Sequence, residues 1–441
     1  MSIFAVLKPE IMKKTLLFLF ISLCPVCAFA SEAAAIDTAT IHKTGWNFGP
    51  LPVISFNSDL GFQYGVCCDM FNYSDGSMFP NYKDHFYVEA SRYTKQQTLA
   101  YLLYDSNYLI PGIRSVFMAS YQLDPMYYFY GFNGLEPYNP ALVADKSTHT
   151  ARYSYWRSMI RAMADFQGDI IGPDFRWAAG LAFWHFKIKD LQMEEYDPAN
   201  ALFAEYKNNG LIKSNEIGGG SHLEFKLGAV YDTRDFAPSP GRGIWAEAFF
   251  TGAPDFFKSG SAYLKFCAHF RQYLSLGSDA FVFAYHLGYQ STIAGETPFY
   301  LLQNIYNLKM LQTSSEGLGS ANTLRSVLPC RLLGEAYAWG NFEFRIRLFR
   351  FNLINQSWYV GLNPFFDCGW VIKPYRMDEC SDFYGISRDA LLSQTRGFHS
   401  SAGLGLKLGM NRNFILSLEA AVPLKKDDGS FGVNIGFNYI F

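Results

Sequence analysis

Asn434-Ile435-Gly436-Phe437-Asn438-Tyr439-Ile440-Phe441 closes the chain. Read as a strand, the stretch alternates, because successive side chains of a strand point to opposite faces. Val433, Ile435, Phe437, Tyr439 and Phe441 fall on one face, and Asn434, Gly436 and Asn438 on the other. An apolar, aromatic-ended outer face over a small or polar inner face suits the closing strand of a membrane barrel. A buried C-terminal strand of a globular protein alternates too, so periodicity by itself leaves both readings open.

The N-terminus favours export. Lys13 and Lys14 precede an apolar run from Thr15 to Val26, and Ala28 and Ala30 frame a small-x-small cleavage site before Ser31. This is the layout of a secretory signal peptide over residues 1–30, with Met12 a candidate for the true start. Beyond residue 30 no segment approaches the ~18 uninterrupted apolar residues of a membrane-spanning helix. Aromatic residues make up 18% of the chain, with 29 Tyr and 41 Phe. That excess fits interfacial girdles of a barrel better than a periplasmic globule. A net charge of −2 gives no support for a nucleic-acid partner. The cysteines left after export are Cys67, Cys68, Cys267, Cys330, Cys368 and Cys380. No pair has zinc-knuckle spacing, and neither a metal nor a cofactor is expected. Cys368 and Cys380 are close enough to bridge a loop in an oxidising compartment, or serve equally well as small hydrophobes.

Residues 31–48 read as a short periplasmic leader, and residues 49–441 as one outer-membrane β-barrel domain. Strand patterns fall at about 60–71, 84–95, 97–106, 113–122, 150–164, 174–187, 221–232, 243–252, 261–274, 279–292, 335–349, 357–371, 400–409, 413–422 and 431–441. A bacterial barrel has an even number of strands, so one more is required, in 50–57 or in 188–220. Alternation assigns the faces. Glu343, Arg345 and Arg347 interleave with Phe342, Phe344, Ile346 and Leu348, and His222, Glu224 and Lys226 with Leu223, Phe225 and Leu227. A soluble sandwich also alternates, but it rarely makes so many long strands with charge on one face. A tilted membrane strand needs ~9–11 residues. The expected fold is therefore all-β, a transmembrane antiparallel barrel with a wet, charged lumen. By length, 72–83, 123–149, 188–220, 293–334 and 372–399 are expected as extracellular loops. Segments 410–412 and 423–430 are expected as periplasmic turns or modest loops. The 293–334 loop is too long to be idle.

Four segments together resemble the BamA/TamA-type outer-membrane assembly and translocation factors, the bacterial surface antigen family. They are Tyr231-Asp232-Thr233-Arg234-Asp235 with Pro240 and Gly243; Pro298-Phe299-Tyr300 followed by Gly319 to Arg325; Gly361 to Gly369 with Asp367; and Ser401-Ala402-Gly403 through to Phe441. The resemblance covers most of residues 219–441. It implies about sixteen strands and a long loop folded into the lumen, with Arg325 at the loop tip pairing acids on the wall. Alternation independently puts Glu343 and Asp367 on the lumen face, and a guanidinium fork suits carboxylates. Ser326 and Val327 stand where the family has glycine and an aromatic, and Arg331 competes with Arg325 for the role. The turn residues Asp232, Arg234, Asp235 and Gly243 belong to the same motif set. Asn434, Gly436, Tyr439 and Phe441 resemble the C-terminal signal that delivers such barrels for insertion.

The resemblance implies a non-enzymatic activity, assisting insertion or translocation of proteins, possible lipids included, at the outer membrane of a Gram-negative-type bacterium. Its expected partners are outer-membrane lipid and unfolded outer-membrane protein clients. Residues 31–48 are too short for one POTRA module of the family, so a barrel-only member is expected, with client capture left to a separate periplasmic protein or lipoprotein. The resemblance also implies a weak seam between first and last strands, where Gly432 and Gly436 thin the closing strand. Two rivals remain. A passive porin shares a charged lumen and an inserted loop. A hydrolase would need a site such as His399-Ser400-Ser401-Ala402-Gly403, but alternation turns His399 and Ser401 to the lumen, away from lipid.

Overall fold

The computed structural model describes residues 43–441 except 58–60, 78–81, 95–96, 259, 279, 309–315, 354–355, 376–396 and 411–413. Sixteen strands form one closed antiparallel barrel in chain order. They are β1 (Trp46–Asn57), β2 (Gly61–Asn72), β3 (Asp84–Tyr93), β4 (Thr98–Ile110), β5 (Ile113–Tyr128), β6 (Ser154–Ile171), β7 (Phe175–Lys189) and β8 (Gly219–Asp232). There follow β9 (Gly243–Ala253), β10 (Tyr263–Ser275), β11 (Phe281–Gly295), β12 (Ala336–Leu353), β13 (Gln356–Lys373), β14 (His399–Met410), β15 (Phe414–Pro423) and β16 (Gly432–Phe437). The strand needed to make the number even is β1, not a strand in 188–220. It begins at Trp46 rather than at 49, because Trp46 already pairs with Asn72 of β2. The expected signal peptide, with Ala28 and Ala30, Met12 and Cys380 lie outside the described residues.

The faces follow the alternation. On β7, Ala178, Ala182, Trp184, Phe186 and Ile188 are buried inward, while Leu181 is exposed outward. The outer wall carries exposed Leu, Ile, Phe and Tyr on almost every strand, and the buried charges of the strands, such as Arg157, Glu343, Asp367 and Lys407, face the lumen. This is the inverse of a soluble protein and the arrangement a bilayer requires.

An antiparallel ring puts alternate connections at opposite ends. The segments after β1, β3, β5, β7, β9, β11, β13 and β15 share one rim, the loop end; the others share the turn end. Two expectations based on length are corrected by this parity. The 72–83 connection follows β2 and lies at the turn end, and 423–430 follows β15 and lies at the loop end with 293–334.

The closing strand also departs from expectation. β16 is 6 residues long and stops at Phe437. Asn438 adopts φ 66°, the left-handed region, which reverses the local direction of the chain. Tyr439 and Phe441 therefore leave the outer face. The Arg345 guanidinium lies 4.0 Å from the Tyr439 ring centroid and donates to the Phe441 main-chain oxygen at 2.7 Å. Phe441 packs against Tyr273 and His286 in the lumen. Strict alternation assumes unbroken extended backbone, and a single αL residue cancels it.

Candidate functional site

The connection between β11 and β12 enters the barrel instead of spreading over it. Leu308 and Tyr306 pack with Ala178, Val230, Trp245, Phe249 and Cys267 on one wall, and Leu318, Leu324, Val327 and Leu332 with Tyr337, Trp339 and Val371 on another. Wall side chains hold its backbone: Gln167 donates to the Leu308 carbonyl at 3.0 Å and Gln290 to the Asn304 carbonyl at 2.9 Å. Wall side chains thus satisfy part of the plug's backbone, as buried carbonyls require.

Arg325 sits at the tip, and three acids converge on it. Nε and Nη2 each donate to one oxygen of Asp367 at 2.8 Å, and the Arg325 main-chain N–H adds a third bond at 3.1 Å. Nη1 reaches Glu343 at 2.7 Å and Glu419 at 3.3 Å. The guanidinium lies 3.4 Å from the Phe365 ring centroid. Asn341 completes the seat by donating to Asp367 at 2.9 Å and to the Thr323 carbonyl at 2.6 Å. The bidentate geometry is one that lysine cannot reproduce. Glu343, Asp367 and Glu419 come from β12, β13 and β15, so one loop residue ties three strands.

The two departures from the family pattern have structural reasons. Ser326 adopts φ 69°, the conformation glycine adopts without penalty. Its Oγ donates to the Ala421 carbonyl at 2.8 Å, a bond that glycine could not make. Val327 is fully buried in the plug's apolar cluster. Arg331 is directed elsewhere, with Nε 3.4 Å from Asp428 on the connection after β15. The same Asp428 meets His399 Nδ1 at 2.7 Å. The plug therefore engages the β15–β16 hairpin at Ser326 and at Arg331.

Glu343 is shared. Its second oxygen accepts from Arg345 at 3.0 Å, and Arg345 holds the inward tail. Lys407 bonds Glu419 at 2.7 Å and Ser417 at 2.5 Å. Three cations and three carboxylates form one compensated network linking plug tip, wall and tail, as burial of charge demands. Glu419, Lys407, Arg345 and Asn341 were not singled out as anchors from the sequence. Alternation puts Glu419 and Lys407 on the lumen face, but nothing local identifies them as Arg325's neighbours.

The motif at Asp232 lies at the turn end, apart from this network. Arg234 donates to both Asp232 oxygens, at 2.8 and 2.7 Å, and stacks 4.1 Å from the Trp245 ring centroid. Asp235 accepts the N–H of Gly241 at 2.9 Å and of Arg242 at 3.2 Å. Gly243 has φ 109°, and a Cβ there would lie 2.4 Å from the Thr233 carbonyl oxygen. These residues build the β8–β9 turn.

Over the plug, at the loop end, aromatic side chains from four connections and their strands form a lid. Tyr127, Phe129, Phe132, Tyr155, Phe203 and Phe299 belong to one buried cluster that also contains Tyr375. Glu216 clamps it, accepting from the Phe299 N–H at 2.7 Å and the Tyr375 hydroxyl at 2.9 Å. Burial pushes the Glu216 carboxyl up to about 7, against the opposing effect of those two bonds and of Lys213.

The first and last strands barely join. The one register pair between β1 and β16 among the described residues is Asn57 with Asn434, whereas β1 and β2 pair along their whole length from Trp46–Asn72 to Asn57–Gly61. Of Asn434, Gly436, Tyr439 and Phe441, the first two lie on β16 and pair with Glu419 and Ser417 of β15.

Comparison with known proteins agrees with this geometry. Residues 84–439 match the Omp85 superfamily domain. Among solved structures, BamA from Haemophilus ducreyi lacking POTRA domains 1–3 aligns over 90% of this chain and 71% of its own, with a TM-score of 0.57 at 17% identity. CdiB from Escherichia coli aligns over 90% of this chain and 62% of its own, with a TM-score of 0.52 at 11% identity. At such identities the likeness is one of fold. No curated protein matches the chain.

Proposed function

The chain belongs to the Omp85 superfamily, and from that premise we propose that it assists insertion or translocation of proteins at the outer membrane by opening between β1 and β16. The barrel resides in the outer membrane, with its loop end outside and its turn end toward the periplasm. The observation that carries the reading is the seam. Among the described residues every other junction of the ring carries at least 6 register pairs, and this one is joined at Asn57 and Asn434. An unpaired strand edge is a template for another extended chain, and the free edge of β1 offers such a template to a client's strand. The inward tail keeps Tyr439 and Phe441 from extending the β16 ladder across that gap.

The role needs no covalent chemistry from the protein. Its partners are unfolded outer-membrane clients and a separate periplasmic or lipoprotein factor that delivers them. A cysteine pair at N57C and N434C tests the reading. Once oxidised, the locked barrel is expected to keep its heat-modifiable mobility and lose client insertion in proteoliposomes, with reduction restoring it. Undiminished insertion by the locked form would sink the proposal.

A passive porin requires an open lumen. The plug held by Arg325 and the aromatic lid above it argue against that alternative.

A further inference from the structure

The outer wall at β6–β8 carries a feature that neither plug nor seam uses. Outward positions of β7 run Leu181, Phe183, His185, Lys187 and Lys189 toward the loop end. The apolar belt thus gives way to two exposed lysines one outward position apart. Lys187 pairs in register with Ser158 of β6 and Gly219 of β8, and Lys189 with Trp156 of β6. Neither lysine makes an ion pair among the described residues. The nearby Asp190 carboxylate is taken by Lys207 at 2.6 Å, and Glu195 faces Lys146 at 3.0 Å. Lys189 lies 5.1 Å from the Trp156 ring centroid, a cation held over an interfacial aromatic.

The connection after β9 folds down onto the same wall. Phe257 packs edge-on against Phe183 with ring centroids 5.9 Å apart, and Phe256 against Phe225 at 6.2 Å. Both remain at least half exposed, at 60% for Phe256 and 50% for Phe257, and Lys258 follows them. A loop that turns two phenylalanines outward along a lipid-facing wall, instead of into the lid, lies in acyl chains. Lys187 then stands two outward positions beyond Phe183, roughly 13 Å along a tilted strand. On a strand tilted ~35–45° that is a rise of roughly 10 Å, from the apolar belt toward the headgroups of the outer leaflet.

We infer that Lys187, Lys189 and the Phe256–Phe257 hook form a binding site on the barrel's outer wall for a phosphorylated glycolipid of the outer leaflet. The lysines meet its phosphates and the phenylalanines its acyl chains. Charge complementarity selects this occupant: two cations without carboxylate partners, placed directly above an apolar belt, match an anionic headgroup carried on hydrocarbon. The site lies on the wall away from the seam, so it anchors the closed side of the ring while β1 and β16 move.

The test measures lipopolysaccharide retained by the detergent-purified barrel, with the K187S/K189S double variant, the K187R/K189R variant and the F256S/F257S variant beside the wild type. Heat-modifiable mobility establishes that each variant is folded. Binding to the double serine variant should fall roughly twenty-five-fold, at about five-fold per lysine near an anionic surface. The arginine variant should retain binding, and the phenylalanine variant should lose part of it. Dephosphorylated lipopolysaccharide should bind the wild type as poorly as native lipopolysaccharide binds the serine variant. Equal binding of native and dephosphorylated forms, or unchanged retention by the serine variant, overturns the proposal. So does equally tight binding of inorganic phosphate, which would make this a free-phosphate site.

Discussion

At the residue scale the molecule turns on Arg325. Its fork is fully committed, and removing one partner of such a buried network typically costs about 3–5 kcal/mol, because the remaining charges stay buried and uncompensated. Arg325→Ala is expected to lower the temperature of the heat-modifiable gel transition substantially, and Arg325→Lys to recover only part of it. Asp367→Asn should loosen the 293–334 loop and raise its sensitivity to added protease, and an unchanged digestion pattern would show that the loop is held elsewhere. Glu216 makes a second prediction. Its folded carboxyl is raised to about 7 from an ordinary value near 4.5, chiefly by burial. The folded state therefore binds the proton more tightly than the unfolded chain. Its contribution is full below the unfolded value and is lost as pH rises toward 7. Protease access to the lid loops should increase between about pH 5 and about pH 8, and Glu216→Gln should flatten that change. Glu343 and Asp367 were legible in the sequence because alternation fixes which face a strand residue takes. Their contact with Arg325 rested on the family resemblance, since a loop some forty residues long has no periodicity from which to read its path.

At the element scale, β16 shows where alternation fails. The period-2 pattern of 431–441 runs unbroken in sequence, yet the register with β15 ends at Phe437, with a last bond from the Asn438 N–H to the Ile415 carbonyl at 2.8 Å, and the backbone inverts at Asn438. Asn is among the few residues that tolerate αL, so the sequence held a hint, but Asn is equally common in polar strand faces. Asn438→Val should penalise the bend by about 1–2 kcal/mol and favour an extended tail. Hydrogen exchange at residues 438–441 would report the release, together with stronger protection of the β1 edge. Persistence of slow exchange at the tail would mean that Arg345 alone holds it. The loops teach a related lesson. Length suggested that 72–83 faces outward, but the end a connection occupies depends on how many strands precede it, and β1 had to be counted first.

At the scale of the whole molecule, the described parts of plug and lid fill much of the lumen. Reconstituted protein should show small, erratic currents in planar bilayers, enlarged when Arg325, Glu343 or Asp367 is changed. A wide and steady wild-type pore would instead favour the porin. The barrel class, the strand positions and the inward loop could be read from composition, alternation and resemblance. The shared use of Glu343 by plug and tail could not, because it depends on how β12, β13 and β15 bring distant residues to one height in the lumen.

That network also makes distant parts of the chain depend on one another. The acids that seat Arg325 come from β12, β13 and β15, so the loop is unanchored until all three strands are in place. The tail has a condition of its own, since Arg345 holds Phe441 only when β16 brings it into the lumen. Plug, wall and tail are therefore interdependent: the anchor exists only where β12, β13 and β15 stand side by side, and β1 contributes nothing to it.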